Sequence, residues 1–408
     1  MTTIDNQAKS PLPSWHMLIY LIMIGFTFIS MPKNEMTYLV SRAIQTIEFL
    51  LFTVLVVQFI KKPQRLCSFN TWTNIWWFIY TIFTYFFATG MGLTPMFKWM
   101  NVMIFLLLGT CYWRDNFLES LKHIAKAFSI LIYLNVILLI LFPRGLWIDV
   151  EWIGRGDPTR YLFGNYNQIG FVCLLGITAQ AMYTLATKEG KKNLFFLIIV
   201  SLWSVIKVGS MTSAVGLSIL AMYICFNKYI KRPLLWLIIF LILYIAFFIT
   251  FIWLGNSIQE IHLVSSFIEG ALSKDSSFSG RTSIWCNAVY EIQQSPWIGH
   301  GVQNVEWNDQ HLEGSGAHNM LLTLLLQGGL LITSIFLTIV LFSATKAYKA
   351  YHKASILSIV SLCVLFLMSL FEAYYIQQVF LLLQFVFYSS YIPSNLNSVN
   401  EEKINTIQ

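Results

Sequence analysis

The sequence predicts an all-α polytopic membrane protein, and three observations lead there. Of 408 residues, 57% are hydrophobic and only 11% charged, where a water-soluble domain carries about 25%. The apolar residues fall into twelve runs, each close to the roughly 20 residues a helix needs to cross a bilayer. Basic residues gather between alternate runs rather than on one face. The net charge of +7 is thus a matter of topology, and no nucleic-acid partner is expected.

Taken in order, the spans are expected at 15–32, 39–60, 71–89, 95–111, 120–142, 162–186, 193–208, 211–227, 233–255, 318–345, 354–371 and 374–391. The first follows "MTTIDNQAKSPLPSWH", which lacks a small-residue cleavage site and reads as a retained span rather than a signal peptide. The seventh and eighth are short and nearly continuous. Twelve spans put both termini on one side. Alternate connections carry Lys61, Lys62 and Arg65; Arg114, Lys122 and Lys126; Lys188, Lys191 and Lys192; Lys228, Lys231 and Arg232; Lys346, Lys349 and Lys353. With Lys9 and Lys403 these make seventeen of the 26 cations. The positive-inside rule then places both termini in the cytoplasm, in a multi-pass protein of the cytoplasmic membrane surrounded by membrane lipids. Of the six cysteines only Cys286 lies in a long polar stretch, so neither a disulfide framework nor a CxxC metal motif is present.

Two outer connections stand out within this single membrane domain (1–408). One spans 143–161. The other, 256–317, is longer than packed helices require, and such loops are usually functional. Within it, Ile258, Ile261, Leu263, Val264, Phe267, Ile268 and Leu272 form one amphipathic stretch. Ile284, Trp285, Ala288, Val289 and Ile292 form a second, so a small helical cap on the outer membrane surface is expected.

The candidate chemistry gathers on these outer segments. Ser279 or Thr282 can cap the second amphipathic helix, which puts Arg281 at its first turn. A helix start with a guanidinium beside it suits a phosphate; the competing reading is an arginine reaching lipid headgroups. His318 opens the tenth span and Asn319 follows it. The helix dipole disfavours imidazolium there, so the ring can accept a proton; alternatively it is only a polar boundary residue. His262, His300 and His311 share the long loop, but their spacing matches no zinc motif, and neither metal nor cofactor is expected. The shorter loop holds Arg155 and Arg160 among Asp149, Glu151 and Asp157, and "YLFGNYNQIGF" brings Asn165, Asn167 and Gln168 to the mouth of a span. Polar side chains at that depth suit a wet cavity. Trp147, Trp152, Trp285, Trp297 and Trp307 can stack on sugar rings or serve as interfacial belt residues.

Together, Gly280, Arg281, Trp285, Pro296, Gly299, Gly301, His318–Asn319 and Gln327–Gly328–Gly329 resemble the O-antigen ligase and polymerase superfamily, and "FGNYNQIGF" resembles that family's glycine–asparagine segment. The motif similarity covers about 155–330, and the span outline extends it to the whole chain. The resemblance implies a metal-independent inverting glycosyltransferase with a GT-C-like fold. Its donor would be an undecaprenyl-diphosphate-linked glycan on the outer face of the membrane. The acceptor would be a second lipid-linked repeat unit in a polymerase or lipid A–core in a ligase, with a chain-length regulator as a further partner. Arg281 falls on the family's pyrophosphate-binding arginine and His318 on its essential histidine. Members often carry another arginine where this chain has Met211, and Lys207, Arg155 or Arg160 are the candidates to replace it, with Asn165, Asn167 and Asn319 as further substrate contacts. The ligase pattern wants a small or polar residue where Ile332 stands, which tilts the reading towards a polymerase. A glycan flippase or transporter shares the span count, but it should show paired charges near the midplane.

Overall fold

The computed structural model describes residues 15–32, isolated helical positions between 40 and 80, and residues 113–153, 157–227, 229, 233–253, 281–314, 316–374 and 376–392. The expected span at 95–111, most of those at 39–60 and 71–89, and the first amphipathic stretch of the long loop lie outside the described residues. The described helices are α1 (Trp15–Phe28), α2 (Arg114–Leu141), α3 (Tyr166–Thr187), α4 (Lys191–Lys207), α5 (Met211–Phe226), α6 (Pro233–Phe247), α7 (Arg281–Gln294), α8 (Val305–Leu312), α9 (Met320–Ala350), α10 (Lys353–Ser369) and α11 (Ile376–Tyr388). A π-helical turn, Phe248–Trp253, continues α6.

Segments Asn116–Leu141, Tyr166–Thr187 and Met320–Ala350 are long and apolar enough to cross a membrane. This is an all-α membrane protein. The short seventh and eighth runs are two helices, α4 and α5, separated at Val208–Ser210. Two helices overrun their expected spans on the basic side: α2 begins at Arg114, and α9 runs through Lys346 and Lys349. Long cationic side chains extend from an apolar stem towards water, so a helix need not end where its charges begin.

α3 is the centre of the bundle. Its residues are buried nearly all round, as expected of a helix apolar on every face, and α2, α4, α5 and α10 pack about it. Near its N-terminus α3 meets α5 through small residues: a Cβ on Gly170 would lie 2.0 Å from Ser213 Oγ. That close approach brings Asn167 to Ser210, whose hydroxyl donates to Asn167 Oδ1 at 2.9 Å and lies 2.8 Å from Ser213 Oγ.

The shorter outer loop carries a two-stranded antiparallel hairpin, β1 (Trp147–Ile148) and β2 (Thr159–Arg160), with Trp147 opposite Arg160. The second amphipathic stretch of the long loop is α7. Its apolar face (Trp285, Ala288, Val289 and Ile292) packs with Leu312 of α8 against Leu322, Leu325 and Leu326 of α9. The cap is therefore seated on the protein's own helix.

Candidate functional site

α9 is broken near its N-terminal end, and the break explains the run of prolines and glycines. Gly329 has φ 60° and ψ −165°, a region open essentially only to glycine. In an unbroken helix the amides of Leu330 and Leu331 would bond the carbonyls of Leu326 and Gln327. Here those carbonyls accept instead from the amides of His300 (2.6 Å) and Gly301 (3.1 Å). Leu330 and Leu331 donate in turn to the carbonyls of Pro296 (2.8 Å) and Trp297 (3.2 Å). The loop after α7 thus substitutes for one turn of helical bonding, and the amides of Leu330 and Leu331 and the carbonyls of Leu326 and Gln327 all keep a partner. Contact is so close that a Cβ on Gly299 would lie 2.6 Å from Leu326 O, and one on Gly329 would lie 2.3 Å from the Trp297 carbonyl carbon. In this way the helix of Arg281 is fastened to the helix behind His318.

His318 lies just before α9 with φ 47°, a left-handed conformation uncommon outside glycine and worth noting at a functional site. Both neighbours are anchored. The Ala317 carbonyl accepts from Trp285 Nε1 at 3.1 Å. Asn319 caps α9 by accepting from the Leu322 amide at 2.9 Å, and its Nδ2 donates to Leu370 O at 3.0 Å.

The same turn between α10 and α11 receives Arg281. Its Nη1 donates to Phe371 O, and its Nη2 pairs with Glu372 Oε1 at 2.8 Å. Asn167 lies on the Glu372 side of this pair and, opposing burial, helps to lower its pKa. The site is therefore a cluster of polar groups at one end of the bundle, with Arg281 paired to Glu372, Asn167 close by and held by Ser210, and His318 under the influence of the guanidinium. Burial, reinforced by the Arg281 charge, lowers the His318 pKa to about 4. Its imidazole is neutral at physiological pH, as the sequence suggests, though the causes here are burial and a cation. Burial pushes the Glu372 carboxyl up, against the opposing pull of Arg281 and Asn167.

Several candidates prove to be committed elsewhere. Arg160 is buried within its own hairpin: its Nε bonds Asp149 Oδ2 at 3.2 Å, its Nη1 reaches the carbonyls of Asp157 and Thr159, and the guanidinium lies 5.2 Å from the Trp152 ring centroid. It does not join Arg281. Asn165 caps α3 by accepting from the Gln168 amide, and Asn319 caps α9 and is 0% exposed with both amide atoms engaged. Lys207 stands exposed in the last turn of α4. Arg155 and His262 lie outside the described residues.

Trp285 is neither a sugar platform nor a belt residue, since it is fully buried beneath Ala317. Trp297 is 70% exposed. Glu291 accepts from His300 through its carbonyl, at 2.8 Å from Nε2, and its carboxylate meets His311 Nδ1 at 3.0 Å; Trp307 stacks on His311 at 4.4 Å. Among the described residues no group of three or more His, Cys, Asp or Glu side chains is arranged to hold a metal.

Glu372, the carboxylate that meets Arg281, is a member of the site that sequence reasoning did not single out. Its signal was available: a carboxylate between two apolar runs, on the side of the membrane expected for Arg281.

A comparison with curated proteins found no match. Residues 195–337, which carry Arg281, His318, Asn319 and the helix break, match the family model described as O-Antigen ligase, and over that segment the chain is similar to the O-antigen ligase and polymerase superfamily.

Proposed function

We propose that the chain polymerises lipid-linked polysaccharide repeat units, of O-antigen or capsule type, at the outer face of the cytoplasmic membrane. The observation that supports this reading is that Arg281, paired with Glu372, acts on the buried His318 within one polar cluster; the reading places that cluster at the outer face. In this scheme Arg281 binds the diphosphate of an undecaprenyl-diphosphate-linked glycan. As the bond between the sugar C1 and the phosphate oxygen breaks, negative charge grows on the diphosphate, and a fixed guanidinium stabilises it. The acceptor sugar hydroxyl attacks C1 from the opposite face and gives its proton to the His318 imidazole. The glycosidic bond forms, lipid diphosphate leaves, and the anomeric configuration inverts. No metal is required in this scheme. Twelve spans with both termini in the cytoplasm are part of the same reading, as is a GT-C-like arrangement.

A ligase that passes the glycan to lipid A–core is the second reading, favoured by the description of the matched family. The buried Ile332, where the ligase pattern wants a small or polar residue, favours the polymerase. Purified protein given one lipid-linked repeat unit as both donor and acceptor should build a ladder of products in excess chelator. Transfer only to lipid A–core would select the ligase. Arg281→Ala should abolish transfer in a correctly inserted protein, and Arg281→Lys should restore only part, because lysine keeps the charge and loses the planar fork. Full activity of Arg281→Ala would end the scheme.

A further inference from the structure

We propose that Glu372 is the resting counter-ion of Arg281 that the lipid diphosphate displaces, which makes it a positioning residue setting donor affinity. The inference rests on the reading of Arg281 as the diphosphate ligand.

The guanidinium divides its fork between two kinds of partner. Nη1 is held by a backbone carbonyl, Phe371 O, and Nη2 by the Glu372 carboxylate at 2.8 Å. The carbonyl fixes the position of the arginine without cancelling its charge. The carboxylate cancels it, so an approaching anion meets a pair close to neutral. A diphosphate gains full use of Arg281 only by taking the place of the carboxylate. The two partners are unequally accessible: the Arg281 side chain is 20% exposed and that of Glu372 11%, so a ligand reaches the guanidinium first. Glu372 also has a polar neighbour on its other side, Asn167, which favours the charged carboxylate and is itself held by Ser210, so the carboxylate is not left in a wholly apolar setting when Arg281 is taken over. A pair built only for stability would not need one member nearer the surface than the other. Discrimination follows as well. A diphosphate presents more charge and more acceptor oxygens than a neutral glycan, and it alone competes effectively for the guanidinium.

The test measures binding of undecaprenyl diphosphate to the full chain in lipid nanodiscs. Glu372→Gln keeps the shape and an acceptor for Arg281 but removes the competing charge. It should bind the probe on the order of tenfold more tightly than the wild type, and KM for the lipid-linked donor should fall without a rise in kcat. Glu372→Asp keeps the charge but withdraws it by one methylene, and an intermediate tightening of about threefold is expected. A purely structural pair predicts the opposite: lower thermal stability with binding unchanged or weaker. A folded Glu372→Gln protein that binds no more tightly than wild type overturns the inference. If that variant does not fold, Glu372→Asp decides by the same criterion. Arg281→Ala separates the two levels. Loss of binding there with no tightening in Glu372→Gln defeats only the role of Glu372, whereas wild-type binding by Arg281→Ala defeats the diphosphate reading itself.

Discussion

Gly329→Ala should destabilise the protein, although the same change within a regular helix would stabilise it. In a continuous helix, alanine is better than glycine by about 0.5–1 kcal/mol. At Gly329 the backbone has φ 60° and ψ −165°, and an L-residue held there costs about 1–3 kcal/mol. The added Cβ would also lie 2.3 Å, 2.4 Å and 2.5 Å from the Trp297 carbonyl carbon, the Trp297 oxygen and the Ile298 nitrogen. All three are backbone atoms, so the loop itself must move. That movement strains or breaks the bonds from Leu330 to Pro296 and from Leu331 to Trp297, worth about 0.5–1.5 kcal/mol each. The sum is a loss of about 2–6 kcal/mol. The assay is thermal unfolding of purified protein in one detergent, with Gly209→Ala as the control. Gly209 has φ 78° but nothing within 4 Å of an added Cβ, so it carries strain without collision and should cost only about 1–2 kcal/mol. A Gly329→Ala protein that melts at or above the wild-type temperature would refute the interpretation of 296–301 as a clamp on a broken helix.

Other expectations bear on the site. His318→Ala should lower turnover by roughly 10²–10⁴-fold, the usual range for loss of a general base, with donor binding little changed. Substantial activity in His318→Gln would show that the ring positions the acceptor rather than taking its proton. With its pKa lowered to about 4 by burial and Arg281, His318 should keep turnover flat from pH 7 to 5.5, whereas an ordinary histidine would be about nine-tenths protonated at the lower value. The folded-state depression has a second sign: its stabilising contribution is present above the unfolded pKa of about 6.5 and is lost as pH falls towards 4. Removing the cation in Arg281→Ala should raise the His318 pKa, and an imidazole NMR titration that stays put would argue against their coupling. Cysteine introduced at the exposed Asp309 of α8 should react with an impermeant thiol reagent in intact spheroplasts; labelling only after lysis would put the long loop on the cytoplasmic side.

What could be read from the sequence depended on whether the cause was local. Apolar run length sets a helix directly, so α3, α9 and α10 fall where the hydropathy put them. The one-and-four spacing around Trp285 was likewise enough to define α7 and the face it buries. Arg281 at the first turn of that helix needed no tertiary information. Glu372 did. Its partner is 91 positions away, and no periodicity links a turn after α10 to the start of α7. The same holds for Trp285 and Ala317, which are joined across 32 positions. The local pairing of Arg160 was hidden for the converse reason: its partner carboxylate, Asp149, lies in the same short loop, and the hairpin that joins them leaves too weak a pattern in two-residue strands to be seen. Pro296, Gly299 and Gly329 were recognisable as a motif, but their purpose was not. A backbone exchange between a loop and a helix depends on which carbonyl faces which amide, and side-chain sequence specifies that only through where glycine is tolerated.

The turn at Leu370–Glu372 also makes the two reactive residues mechanically dependent on each other. Arg281 bonds Phe371 and Glu372 from the α7 side, while Asn319, next to His318, bonds Leu370 from the α9 side. Trp285 closes the circuit, because it belongs to the helix of Arg281 and donates to Ala317, the other neighbour of His318. A displacement of α7 therefore cannot carry Arg281 away without pulling on Ala317, and a displacement of the turn pulls on both. In a transfer reaction this coupling matters, because the donor diphosphate and the acceptor hydroxyl must lie on opposite sides of one carbon at the same moment. Under the proposed scheme, binding energy from a diphosphate at Arg281 would reach the backbone of His318 through two hydrogen-bonded routes. Its left-handed φ of 47° is kept in place by those two anchors, in the manner of strain persisting where the surroundings over-determine it. Loosening either anchor, by changing Trp285 or Asn319, should thus disturb proton acceptance without touching a single atom of the substrate.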